Sequence, residues 1–135
     1  MRSEYYHIPK KEGVILLRGV RGATTVENNE RVCILERTSE LLTKIIETNS
    51  IQPEDIGAAI FSATPDITAA FPAAAAREIG WSEVPLFGAQ EIEVINGPQM
   101  CIRVLVLLNT DKLQKDIHHI YLHGAQILRP DLIRK

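Results

Sequence analysis

The sequence predicts an α+β domain built on a mixed five-stranded sheet, with one long helix and several short ones. Three observations carry this. Apolar runs of strand length recur at residues 14–19, 56–62 and 101–109, one stretch alone (30–48) repeats its apolar residues at helical spacing, and proline and glycine punctuate the rest at short intervals. At 135 residues the chain suits a single domain with a real core, taken as 14–135, behind a polar leader over 1–13.

The elements follow in order. Val14-Ile15-Leu16-Leu17 opens a strand, and residues 19–25 read as a tight passage out of it. Leu35, Leu41, Leu42, Ile45 and Ile46 then form one stripe of the long helix, with Asn28 or Asn29 as its cap and Glu40 and Lys44 paired on its outer face. Pro53 suits the first position of a short helical turn, and Pro72 and Gly80 open and close a short helix. Residues 84–89 and 91–95 read as extended and Asn96-Gly97-Pro98 as a turn. A helical turn over 113–117 and strands at 119–122 and 125–128 complete the chain.

Composition excludes several classes of function. Apolar residues make up 45% and charged residues 24%, which rules out a largely disordered chain. A net charge of −2 gives no global field to attract nucleic acid or an anionic membrane. No run is long enough to span a bilayer, and the first residues lack the apolar core of a signal peptide, so the cytoplasm is the expected address. Cys33 and Cys101 lie far apart inside apolar runs and read as buried free thiols of a reducing compartment.

The chemistry gathers around arginines. In "RGVRGATTV" (18–26), strand alternation puts Arg18 on the face of Leu16 and Val20 and Arg21 on the other, so one guanidinium points into an enclosed place. Arg103 sits in "CIRVLVLLN", both faces of which are otherwise apolar; it needs a carboxylate of the protein or of a ligand, or an open cleft. Glu91 is the candidate partner, with Glu93 on the same face by period two. Arg77 and Arg129 are further cations that could equally be solvated, and Tyr121 is either a core tyrosine or a hydroxyl donor to an anion. No nucleophile elbow is present, His118, His119 and His123 make no metal-ligand pattern, and "GVRG" is no phosphate loop. Arginines, a carboxylate and a phenol suit recognition of a small multi-carboxylate molecule.

Five stretches, "RGVRGATTV", "SATPDITAAFPAAAARE", "GAQEIEV", "CIRVL" and "HIYLHGAQILRPDL", occur in order between about residues 16 and 132. Together they resemble the successive motifs of the monofunctional chorismate mutases of the trimeric, pseudo-α/β-barrel class. The resemblance implies a homotrimer with an active site between each pair of neighbours. It also implies conversion of chorismate to prephenate, a [3,3] rearrangement without cofactor, metal or covalent intermediate, in aromatic amino-acid biosynthesis. Carried over by motif, Arg21, Glu91, Arg103 and Tyr121 are the catalytic set, with Leu128 and Arg129 nearby on the same subunit. Phe71, Ala73 and Arg77 come from the adjacent subunit, and Leu86, Phe87 and Gly88 complete the substrate contacts.

By the same resemblance, Arg21 and Tyr121 hold carboxylates, Arg103 meets the ether oxygen, and Glu91 orients Arg103 and accepts the ring hydroxyl. Arg18 is then expected in a structural ion pair, and Gly19 and Gly22 to let the backbone leave the strand sharply beneath the ligand. Two departures from the family pattern stand out: Ala74 where lysine is frequent, and Gly88 where cysteine is frequent. They motivate an alternative, a catalytically weak trimeric binding or regulatory protein for small carboxylates. A trimeric imine-hydrolysing deaminase is a third reading.

Overall fold

A computed structural model describes residues 14–128. The expected leader and Arg129 lie outside the described residues. Five strands form one sheet: β1 (Leu16–Thr25), β2 (Ile56–Ala63), β3 (Leu86–Gln90), β4 (Cys101–Thr110) and β5 (Ile120–Tyr121), in the spatial order β3-β2-β4-β1-β5. The inner pairs β1–β4 and β2–β4 are antiparallel, while the outer pairs β2–β3 and β1–β5 are parallel. The sheet is therefore mixed, and the most apolar strand, β4, is its centre.

One face of the sheet is sealed by helix α1 (Arg31–Asn49), whose Leu41, Leu42 and Ile45 are fully buried against Val20, Ala59, Phe61, Val104 and Val106. A second helix, α2 (Ala73–Glu78), and Trp81 close the same layer beside β2. Pro72 caps α2, and Gly80, at φ 102°, supplies the left-handed residue that ends it. The opposite face carries Leu17, Ile60 and Phe87, all exposed, with Leu105 and Leu107 half-buried between them. Exposed apolar side chains grouped in this way are typical of surfaces that take part in association.

Several expectations are corrected. Residues 19–25 do not leave the strand: β1 pairs with β4 over its full length, from Leu16 opposite Thr110 to Thr25 opposite Cys101. Gly22 serves packing rather than a turn, because a Cβ there would stand 2.7 Å from Ile45 Cδ1 and 3.1 Å from Leu41 Cδ1. Neither Asn28 nor Asn29 caps α1 through its side chain; Glu30 occupies the cap position without a side-chain bond. Asn29 instead ties down residues 68–69, its Oδ1 accepting from the backbone N–H groups of Thr68 and Ala69 and its Nδ2 donating to Thr68 Oγ1.

The last predicted strand, 125–128, is a 3-10 helix over His123–Leu128. His123 takes φ 54° and breaks the extended path, and Gly124 N–H then donates to Thr25 Oγ1. Residues 91–95 form no strand, since the ladder ends where Glu91 N–H donates to Ala63 O and the chain turns at Asn96 and Gly97. Glu40 meets His123 Nε2 at 2.9 Å rather than Lys44. Arg18 donates to the carbonyl oxygens of Lys112 and Leu17, with no ion pair among the described residues. Cys101 is buried as expected, but Cys33 is only half-buried.

Candidate active site

The sheet register sets out the polar residues in rows. Ala89, Ser62, Arg103, Ala23 and Tyr121 lie side by side across β3, β2, β4, β1 and β5, so that all five share a face. The next row is Phe87, Ile60, Leu105 and Arg21. Arg21 and Arg103 are thus diagonal neighbours on adjacent strands, with Cα atoms roughly 7–8 Å apart. Alternation puts both on the sheet face that α1 does not cover.

Arg103 holds the centre. Its Nε lies 3.5 Å from Glu91 Oε2, an ion-pair contact too long and ill-aimed to be a hydrogen bond. That Nε is buried and has no hydrogen-bond partner among the described residues, whereas the side chain as a whole is 41% exposed. The guanidinium therefore shows its outer nitrogens to the surface while its stem is gripped by the sheet. Glu91 stands where β3 has just ended, and its Oε2 accepts a short hydrogen bond from Ser62 Oγ. Ser62, opposite Arg103 in the ladder, thereby fixes the carboxylate beside the guanidinium.

The loop after Glu91 is held in place by Asp66. Its carboxylate accepts from Met100 N–H through both oxygens and from Thr64 Oγ1, whose hydroxyl oxygen in turn accepts from Cys101 N–H. Asp66, Glu91, residues 92–99 and Arg103 line a cavity of about 740 Å³. Below it, burial pushes the Cys101 thiol above its ordinary value, and the neighbouring Arg103 charge pulls the other way.

Arg21 is exposed and forms no ion pair among the described residues, but its backbone N–H donates to His119 Nδ1 at 3.0 Å. Tyr121 is buried with Ala23 and Ala125, and Leu128 packs on that cluster. These four expected residues, with Leu128, occupy one face of the chain. Phe71, Ala73, Arg77, Leu86 and Gly88 gather elsewhere, around a second cavity of about 760 Å³ beside α2, at the β3 edge of the sheet. The two cavities share only Thr64 among their lining residues. Phe87 is not with its neighbours Leu86 and Gly88; the pleat sends it to the Ile60 side. Reasoning from sequence missed Ser62 and His119; a serine on an apolar strand and a histidine two before Tyr121 were the available signals.

Comparison with known proteins gives the family. A family described as chorismate mutase type I matches residues 17–132. The chain is 49% identical over 119 residues to chorismate mutase AroH of Bacillus subtilis, covering 87% of this chain and 94% of that one. It is also 49% identical over 118 residues to chorismate mutase AroH of Thermus thermophilus, covering 87% and 97%. Among solved structures, a chorismate mutase from Clostridium thermocellum superposes with a TM-score of 0.80 at 45% identity, over 81% of this chain and 97% of that one. A match of this extent, in sequence and in fold together, places the chain in the chorismate mutase type I family.

Proposed function

We propose that the protein is a chorismate mutase, rearranging chorismate to prephenate for aromatic amino-acid synthesis in the cytoplasm, without a cofactor. The observation that carries the reading is Arg103: a guanidinium at the centre of the sheet, beside Glu91 and diagonal to Arg21 on one face. Two neighbouring guanidiniums on one sheet face, one of them steadied by Glu91 at the end of β3, suit a substrate with two carboxylates.

The chemistry assigns the roles. The rearrangement moves no proton, so Glu91 is not a base; it orients Arg103 and accepts the ring hydroxyl of the substrate. Arg21 and Tyr121 hold carboxylates and favour the compact conformer in which the bond-forming carbons meet. As the C–O bond breaks, negative charge grows on the ether oxygen, and Arg103 donates to it from a position set in advance by β4. A fixed donor of this kind is worth about 3–4 kcal/mol.

The active site is completed between chains of a homotrimer. Its support is the separation already described, with Phe71, Ala73 and Arg77 on a different part of the chain from Arg103, and the apolar face of Leu17, Ile60 and Phe87. Leu86, Gly88, Leu128 and Arg129 join the substrate contacts. Phe87, on the opposite face of β3 from Leu86 and Gly88, shares the sheet face of Arg21 and Arg103 and joins the substrate contacts from that side.

The test follows the ultraviolet absorbance of chorismate with wild type and Arg103→Ala. Rapid loss with prephenate as product is expected, falling about 10²–10³-fold or more in the variant while its oligomeric state is unchanged. Saturable prephenate binding by a folded wild type that does not accelerate the reaction would favour a binding protein instead.

A further inference from the structure

The cavity beside α2 contains a cation that the site described above does not use. Its lining comprises Arg31 and Arg77, neutral polar groups such as Ser62, Thr68 and Gln90, and apolar residues; no aspartate or glutamate is among them. On a chain of net charge −2 this is an unusual concentration of one sign. Both arginines are exposed, and neither forms an ion pair with a described residue.

Arg31 is the first residue of α1 and Arg77 belongs to the last turn of α2, so two separate elements bring their guanidiniums to one concavity. The wall that carries Arg31 is braced. Asn29, two residues before it, bonds the backbone of Thr68 and Ala69, and Thr68 lines the same cavity. The N-terminus of α1 and the loop leading to Phe71 are thereby fixed to each other. Arg31 is presented at a set place rather than swinging from a loose end.

We propose that Arg31 is a further substrate-capturing residue, which with Arg77 makes this cavity an electropositive mouth for a dicarboxylate. The inference rests on the chorismate mutase reading and deepens it by assigning a residue outside the expected set. An unpaired cation in a concave, carboxylate-free setting raises the local concentration of a dianion and speeds its encounter. Unlike Arg103, it need not touch the reacting atoms. Its effect therefore belongs to capture, and ionic screening weakens it.

The experiment compares wild type, Arg31→Gln and Arg31→Glu for kcat and KM with chorismate across ionic strengths from 0.01 M to 0.3 M. At low ionic strength kcat/KM should fall about 3-fold on neutralisation and about 10-fold on reversal, with the loss mainly in KM, and the gaps should narrow at high salt. Equal kcat/KM for the three proteins at low ionic strength would overturn the inference, as would a loss that salt leaves untouched. Titration of prephenate into the same proteins reads capture without turnover. A wild type that binds prephenate but is inactive would thus sink the mutase reading, while the Arg31 variants still decide the inference, through weaker or unchanged binding.

Discussion

Arg103 and Cys101 share a strand face two residues apart, and their environments pull them in opposite directions. The arginine keeps its outer nitrogens at the surface, while the thiol is fully enclosed and its pKa is raised by burial. Raised above the ordinary 9.0, the thiol stays protonated in the native protein. Its contribution to stability is complete below that value and is lost as pH climbs through the folded-state value. The expected result with iodoacetamide at pH 8 is one modified cysteine per native chain, Cys33, and two in denaturant. Modification of both in the native state would mean that the floor of the site opens readily.

Much of the residue scale was legible from pattern. Arg103 announced itself as a charge in a strand apolar on both faces, and Glu91 was the nearest carboxylate able to meet it. What pattern could not give was Ser62, because a serine carries no charge anomaly, and the carbonyl partners of Arg18, because backbone acceptors are invisible in side-chain chemistry. The separation of Phe87 from Leu86 and Gly88 follows from the pleat alone. It was obscured because motif matching treats adjacent residues as neighbours in space.

At the scale of elements, the long helix was secure from its stripe, but its relation to β1 was not. Gly22 looked like a hinge, and the structure makes it a landing for α1: a Cβ would press on Ile45, Leu41 and Val104 at 2.7, 3.1 and 3.3 Å. Gly22→Ala should therefore cost about 1–3 kcal/mol, measured as a lower denaturation midpoint in urea with an unchanged slope. An unaltered midpoint would show that α1 can shift away at no cost. The opposite expectation holds for Gly88, whose Cβ position meets nothing within 4 Å and so tolerates a side chain.

The misread end of the chain has the same kind of cause. Residues 125–128 carry the composition of a strand, yet the left-handed turn at His123, held by Glu40 and followed by the Gly124–Thr25 bond, coils them into a 3-10 helix. Partners some 80 to 100 residues away decided the outcome, the bonds spanning 83 and 99 positions. Local propensity carries no record of contacts at that distance.

For the whole molecule, the fold class and part of each of the five strands were readable, along with two strands at 91–95 and 125–128 that do not form, whereas the proposed assembly rests on how the site residues are divided over one chain. One face holds Arg103, Glu91, Arg21 and Tyr121; another region holds Phe71, Ala73 and Arg77. The proposed trimer joins the two between neighbours, and this has a sharp test. Arg103→Ala and Arg77→Ala, each expected to be nearly inactive alone, are unfolded together and refolded as an equal mixture. Random mixing should restore about a quarter of wild-type sites, since each mixed ring regains one intact interface of three. No recovery, with mixed trimers demonstrated by mass, would place both residues in one subunit's site.

The sparing burial of Leu17, Ile60 and Phe87 bears on more than geometry. If the proposed trimer forms, a newly made chain meets the cell with a greasy flank and half a reaction chamber, and the same encounter with its siblings cures both. Under that proposal, supply of the protein acts as a threshold rather than a dial: below the concentration that sustains assembly, further dilution should extinguish turnover faster than it removes polypeptide.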